Sequence, residues 1–378
     1  MESIEHLLVS TMSASTVELF TKPSIWSAIP LSIGLLTYLY FTDPSSLLSH
    51  VRKMLGFGSI QFTSATKTVN LKKRNDNGEI SLRALVESAM PPVRLSPLLF
   101  NGHLQTIYVA SGRGVDSHIH YKRRLWQSDH KTYSGSFTTD WVVPKPKVPL
   151  AREKSLPHRT HNYTEEEWSA MLDAKDDRPL LIVLHGLSGG SHEQYIRHAL
   201  ETLTTEEGGF AAVVINARGC CYSELTSDVL FNARATWDIR QVVKWVRKQW
   251  PERRLFAMGF SLGANILCNY LGEEGEACEI ESAILIGNPW NLDVSNAMLC
   301  STTIGLQVYQ RAMGAGLKRL FERFVSPLQA GALQSLTLYT GMLSRCHKTQ
   351  KSISKKCASQ NISGSGTGKF SMICYCLH

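Results

Sequence analysis

Four short apolar runs organise the middle of the chain: Leu180 to Leu184, Ala211 to Ile215, Leu255 to Met258 and Ala283 to Gly287. They are continuous rather than alternating, as strands buried on both faces of a parallel sheet are. Between the second and third, Ile239, Val242, Val243 and Val246 recur at i, i+3, i+4 and i+7, and Pro251 follows. That spacing predicts a helix with one buried face and a stop soon after it. A second helix-like segment (Ala264, Ile266, Leu267, Tyr270, Leu271) follows the third run. Strands alternating with helices predict an α/β fold with a mostly parallel sheet.

Upstream the pattern changes. Alternation around Ile119, Tyr121 and Leu125, and again around Phe137, Trp141 and Val143, predicts two earlier strands. Pro144 to Arg178 is proline-rich and charged, and reads as a surface insertion. Pro23 to Thr42 holds no charge and is mostly apolar, about the twenty residues that span a bilayer as a helix. Pro30 and five Ser or Thr residues interrupt the run, so a hydrophobic hairpin or a helix packed on the domain stands beside the membrane anchor. The expected organisation is an N-terminal region with that anchor (1–44), a polar linker (45–94), an α/β domain (95–324) and a low-complexity, disordered tail (325–378).

Composition changes this picture in two places. The formal net charge is +8, but the last carboxylate is Glu322, and seven Lys or Arg follow it with none. The basic balance therefore belongs to the tail, with no aromatic platform beside it, which speaks against a nucleic-acid binder. Nine cysteines without regular spacing point to a reducing, intracellular compartment, and Cys374-Tyr375-Cys376 has no second pair, so no metal site is expected. No cofactor motif is present.

The chemistry centres on Gly259-Phe260-Ser261-Leu262-Gly263, between the third apolar run and its helix. A strand, a sharp turn at Ser261 and a helix make a nucleophile elbow. The serine projects from the sheet, and the Leu262 N–H, at the helix start, points where an oxyanion forms. The loop after the first run, His185-Gly186-Leu187-Ser188-Gly189, fits the second donor, with the Leu187 N–H the candidate. His185 precedes the serine and is not the expected base. His192 and His198 read as surface or packing histidines, and His103 as a structural one.

The segments His185 to Glu193, Asn216 to Cys220, Gly259 to Gly263, Asn288-Pro289-Trp290 and Asn101 to Thr106 together resemble one family. It is the membrane-associated branch of the α/β hydrolases that includes fungal medium-chain fatty acyl ethyl ester synthase/esterases and bacterial YheT-type hydrolases. The resemblance runs from about Leu95 to about Phe324. It implies an α/β-hydrolase fold and a serine ester hydrolase of medium-chain fatty acyl esters that also transfers acyl groups to an alcohol. Ser261 is then the nucleophile, through an acyl-enzyme.

The chain departs from the family after the fourth strand. A triad of this fold draws its carboxylate and then its histidine from the ends of later strands. Here Asp293 is the only aspartate after Ser261, and His347 and His378 are the only histidines. Neither Asp293 nor His347 stands where the fold needs it, so triad acid and histidine stay unassigned, with these two as weak candidates. The fold is expected to be truncated after the strand near Ala283–Gly287, leaving that strand an unpaired edge. Activity is then impaired, and a non-catalytic scaffold is the alternative to an esterase.

Overall fold

The computed structural model describes most residues from 60 to 322 and the backbone of Ser371–Tyr375. The run 23–42, most of the tail and His347 lie outside the described residues. The chain divides into two compact units, Met1–Arg113 and Gly114–His378.

In the first unit β1 (Asn70–Lys72) pairs antiparallel with β2 (Glu79–Ser81). Helix α1 (Leu82–Ala89) follows, capped by the Ser81 side chain, which accepts the Ala84 N–H. Helix α2 (Gly102–Ala110) carries His103. The stretch expected to be a linker therefore contains a hairpin and a helix.

The second unit holds an eight-stranded sheet. Its strands in chain order are β3 (His120–Gln127), β4 (Ser136–Val143), β5 (Thr160–Asn162), β6 (Leu180–Leu184), β7 (Ala211–Asn216), β8 (Leu255–Phe260), β9 (Ser282–Ile286) and β10 (Ser371–Tyr375). Their spatial order is β10-β9-β8-β6-β7-β4-β3-β5. Strands β6 to β10 are parallel, whereas β4 is antiparallel to both β7 and β3.

The period of two along each central strand divides the core into two layers. Leu180, Ile182 and Leu184 of β6, with Val213 and Ile215 of β7, face one layer. Leu181 and Val183, with Ala212 and Val214, face the other. Helices α5 (Trp237–Gln249) and α6 (Leu262–Glu274) close the first layer through Ile239, Val242, Val243, Val246, Ala264 and Leu267. Helix α4 (Gln194–Leu203) closes the second with Ile196 and Leu200. A chain apolar at every strand position folds this way because both faces must be covered.

Two expectations are corrected. The stretch 144–178 is not only a surface insertion: β5 pairs with β3, and α3 (Glu165–Asp173) drives Trp168 into the core. Trp168 stacks on Trp245 at 5.4 Å and meets Trp141 edge-on at 5.8 Å. The sheet also does not end at β9. Ser371–Tyr375 lies parallel to Ser282–Ile286 in unbroken register, which covers the edge expected to be bare. Edge amides and carbonyls are satisfied by any extended backbone of fitting register, whatever its composition.

Candidate active site

Ser261 sits between the last residue of β8 and the first of α6, with φ 50° and ψ −114°. A non-glycine residue at positive φ is strained and persists only where its surroundings hold it. They do here. The Ser261 N–H donates to Ile286 O of β9 at 2.8 Å, and Ser261 O accepts the Asn265 N–H at 3.1 Å. The two flanking glycines are needed for contact. A Cβ on Gly259 would stand 2.6 Å from Ala264 Cα, and one on Gly263 would stand 2.5 Å from Leu184 O. Strand and helix thus touch backbone to backbone, and the turn between them is tight.

The loop after β6 reaches the elbow. A Cβ on Gly186 would lie 3.6 Å from both Ser261 Cβ and Phe260 O. The loop turns through Gly189 N–H donating to Gly186 O at 3.1 Å, and Ser188 inside that turn has φ 55°. Behind loop and helix is a cavity of about 20 Å³, room for one water. A wider cleft of about 370 Å³ lies elsewhere, lined by His130, Lys131 and Trp237 among others; Ser261, Leu187 and Leu262 do not line it.

After β9, Asn265 Nδ2 on α6 donates to Pro289 O at 3.0 Å, which brings the chain back to the elbow helix. Helix α7 (Leu292–Ser301) follows, capped by Asn291, and a π-helical turn leads into α8 (Gln310–Glu322). A Cβ on Gly316 of α8 would stand 3.2 Å from Ser188 Oγ, so α8 lies on the loop after β6. Trp290, Leu292, Val294, Met298, Ile304, Leu306 and Val308 are all exposed along this return.

The histidines near the loops are committed elsewhere. His185 is buried, its Nδ1 meets Gly186 O at 2.7 Å, and its Nε2 accepts the Ala217 N–H at 2.9 Å. That pair of bonds defines a neutral ring with the proton on Nδ1. Burial holds its pKa down to about 4. His192 places Nδ1 3.3 Å from Cys221 Sγ, and burial, then the charge of neighbouring groups, lowers its pKa to about 4 as well. Asp293 is exposed in the first turn of α7, with its own N–H on Asn291 Oδ1 at 3.0 Å. The structure therefore brings Ser261, Leu262 and the Gly186–Leu187 loop together and leaves Asp293 at the surface. Among the described residues no group of three His, Cys, Asp or Glu side chains is arranged to hold a metal ion.

Sequence reasoning passed over the polar residues beneath the loops. Asp140, Ser191 and Asn216 are fully buried. Their signal was weak: charged Arg123 and Asp140 occupy facing positions of neighbouring strands, a cross-strand pair visible only once the register is known.

Comparison with known proteins agrees with this architecture. The family model described as alpha/beta hydrolase fold matches residues 179–360. A monoacylglycerol lipase of Saccharomyces cerevisiae is 38% identical over 279 residues, 68% of this chain and 61% of the relative. The medium-chain fatty acid ethyl ester synthase/esterase 2 of the same yeast is 34% identical over 226 residues, 53% of this chain and 49% of that one. The putative esterase YheT of Escherichia coli is 26% identical over 183 residues, covering 48% and 49%. The chain thus spans about half to three fifths of the length of these curated relatives.

Proposed function

The chain belongs to the α/β-hydrolase superfamily, and on that premise we propose that it is a serine ester hydrolase acting on fatty acyl esters, with Ser261 as nucleophile. The observation that carries the reading is the strained turn at Ser261 between β8 and α6, packed against the loop after β6. In the proposed reaction Ser261 Oγ attacks the ester carbonyl while its proton passes to a base. The Leu187 and Leu262 N–H groups hold the oxyanion, the C–O bond breaks and the alcohol leaves. Water then releases the acid, or a second alcohol takes the acyl group. The relatives that act on monoacylglycerol and on medium-chain ethyl esters support acyl esters as the substrate class.

The exposed apolar residues from Trp290 to Val308 support an apolar acyl chain as the substrate's long arm. Asp293 is the only charged residue between 288 and 310, so this surface is poor in charge as well as apolar. Exposed apolar side chains on the segment that Asn265 ties to the elbow helix support a place where a ligand or lipid is received. Membrane attachment belongs to the same proposal and is carried by the uncharged run 23–42. Deleting residues 1–44 is expected to move the chain from the membrane pellet to the soluble fraction. Among the described residues no helix is long and apolar enough to cross a membrane.

A second reading is favoured by the engaged histidines. With His185 and His192 both turned to other partners, neither supplies the base, and His347, outside the described residues, is the candidate. A folded scaffold without turnover is the alternative. A fluorophosphonate probe separates the two: labelling of the parent, lost in Ser261→Ala, supports the hydrolase. Folded parent that stays unlabelled supports the scaffold. Ethanol added to a reaction on medium-chain esters then tests for acyl transfer by the appearance of ethyl ester.

A further inference from the structure

The loop that carries Leu187 is tied at both ends. Its start is held by the Ala217 N–H on His185 Nε2 and by the Gly186 N–H on Tyr195 Oη at 3.0 Å. Its end is held by Ser191, which is wholly buried. The Ser191 N–H donates to Asn216 Oδ1 at 2.9 Å, and its Oγ donates a short bond to Asp140 Oδ2. Between the two ties lies Ser188, whose left-handed backbone is strained.

Asp140 is the hub of the far tie. Its carboxylate accepts Arg123 Nε on Oδ1 and Arg123 Nη2 on Oδ2, each at 2.7 Å, and Asn216 Nδ2 at 2.8 Å. Arg123 is buried too; burial works against its charge, but Asp140 beside it keeps its pKa above the ordinary value. The remaining arm of Arg123, Nη1, donates to Cys221 O at 2.8 Å. The loop's end is pressed on that same residue, since a Cβ on Gly190 would fall 2.4 Å from Cys221 Cβ. One buried ion pair thus joins β3, β4, the end of β7 and both loops beside the elbow. A sheet holds itself together without such a pair, and apolar residues often fill such a space as favourably. What the pair adds is direction for the groups bonded to it.

We propose that Ser191 and Asp140 are positioning residues for the loop after β6, in which the Ser191 Oγ–Asp140 bond keeps the strained turn at Ser188 in place. This rests on the ester-hydrolase reading, in which that turn presents the Leu187 N–H to the oxyanion. The bond matters in the transition state more than in substrate binding, because the oxyanion exists only after attack.

The test is Ser191→Ala in the full chain, with two readouts. In hydrogen exchange the amides of Gly189, which donates to Gly186 O, and of residue 191, which donates to Asn216 Oδ1, are expected to exchange at least about tenfold faster, with β6 and β8 unchanged, as a local opening gives. In turnover of a medium-chain p-nitrophenyl ester, kcat is expected to fall about 10- to 100-fold with KM held within about threefold, as a displaced oxyanion donor produces. Loop exchange equal to the parent's overturns the proposal, and so does unchanged kcat despite faster exchange. If Ser191→Ala does not fold, Ser191→Cys, which keeps a weaker donor at the same place, is read the same way with a smaller expected effect. A parent without turnover refutes the ester reading, whereas the exchange result still decides whether Ser191 holds the turn.

Discussion

A Cβ placed on Gly263 would stand 2.4 Å from the carbonyl oxygen of His185. The first turn of α6 and the end of β6 are therefore in backbone contact, and neither partner has a flexible side chain that could give way. Gly263→Ala is expected to push α6 off β6 and cost about 1–3 kcal/mol, the usual range for overpacking a closed contact. Because that shift moves Leu262 and Ser261 with it, fluorophosphonate labelling should fall further than stability does. Gly272→Ala is the control: its Cβ meets nothing within 4 Å. Equal labelling of the two variants would mean that the contact does not set the elbow.

Acid sensitivity follows from His185. Its pKa in the folded chain, about 4, lies below the ordinary 6.5 because the ring is buried. Above pH 6.5 the ring is neutral in both folded and unfolded chains, and its contribution is complete. As pH falls from 6.5 toward 4, the unfolded chain takes up a proton that the folded chain refuses, and stability is lost. The loss is up to about 3 kcal/mol at about 1.4 kcal/mol per pKa unit. Urea unfolding at pH 7.5, 5.5 and 4.5 should show the decline. His185→Gln, which keeps an acceptor near the Ala217 N–H but does not titrate, should make it shallower, leaving the share of His192, whose pKa burial lowers in the same way. A parallel decline in the variant would assign the acid sensitivity to other groups.

Arg218 is a further buried cation near the site. Nη2 and Nε bond Asp238 at 2.7 and 3.1 Å, and Nη2 also reaches Tyr133 O at 2.9 Å. Burial raises the pKa of Asp238, with Arg218 opposing that rise. Arg218→Met leaves this carboxylate buried and alone, and should cost about 3–5 kcal/mol in chemical unfolding. Adding Asp238→Leu should recover much of that loss. A double variant as unstable as the single one would show that the bonds to the Tyr133 and Ser134 carbonyls, rather than the ion pair, hold Arg218 in its role.

What the sequence disclosed and what it hid divide along physical lines. Strands β6 to β9 were legible because a strand buried on both faces must be apolar at every position; Leu180–Leu184 matches to the residue. The elbow was legible because Gly259 and Gly263 are required by close backbone approach. Strand β5, Thr-His-Asn, was not, since three residues at an edge need no pattern. Helix α3 carried a readable signal, the Thr164–Glu167 capping box, inside a segment whose prolines and charges argued for a loop. The Asp140 hub was hidden because a buried charge is intelligible only with its partners, and these come from three separate stretches of chain.

The edge of the sheet gives the last prediction. Strand β9 pairs with β8 on one side and with Ser371–Tyr375 on the other, from Ser282 opposite Ser371 to Ile286 opposite Tyr375. In a parallel ladder each inner strand sends its N–H groups alternately to both neighbours, so about half of the β9 amides depend on β10. Those amides should be protected from hydrogen exchange in the full chain. Removing residues 371–378 should expose them, with Ser282–Ile286 exchanging faster and β6 and β7, deeper in the sheet, unchanged. The bared edge is also a template for pairing with another chain, so the shortened protein should associate more readily in light scattering. Ser261 is tied to this edge, because its N–H donates to Ile286 O. Loss of β10 should therefore slow fluorophosphonate labelling as well. Equal protection of β9 in the full and shortened chains would show that β10 does not hold this edge in solution, and the expectation of a bare edge would return.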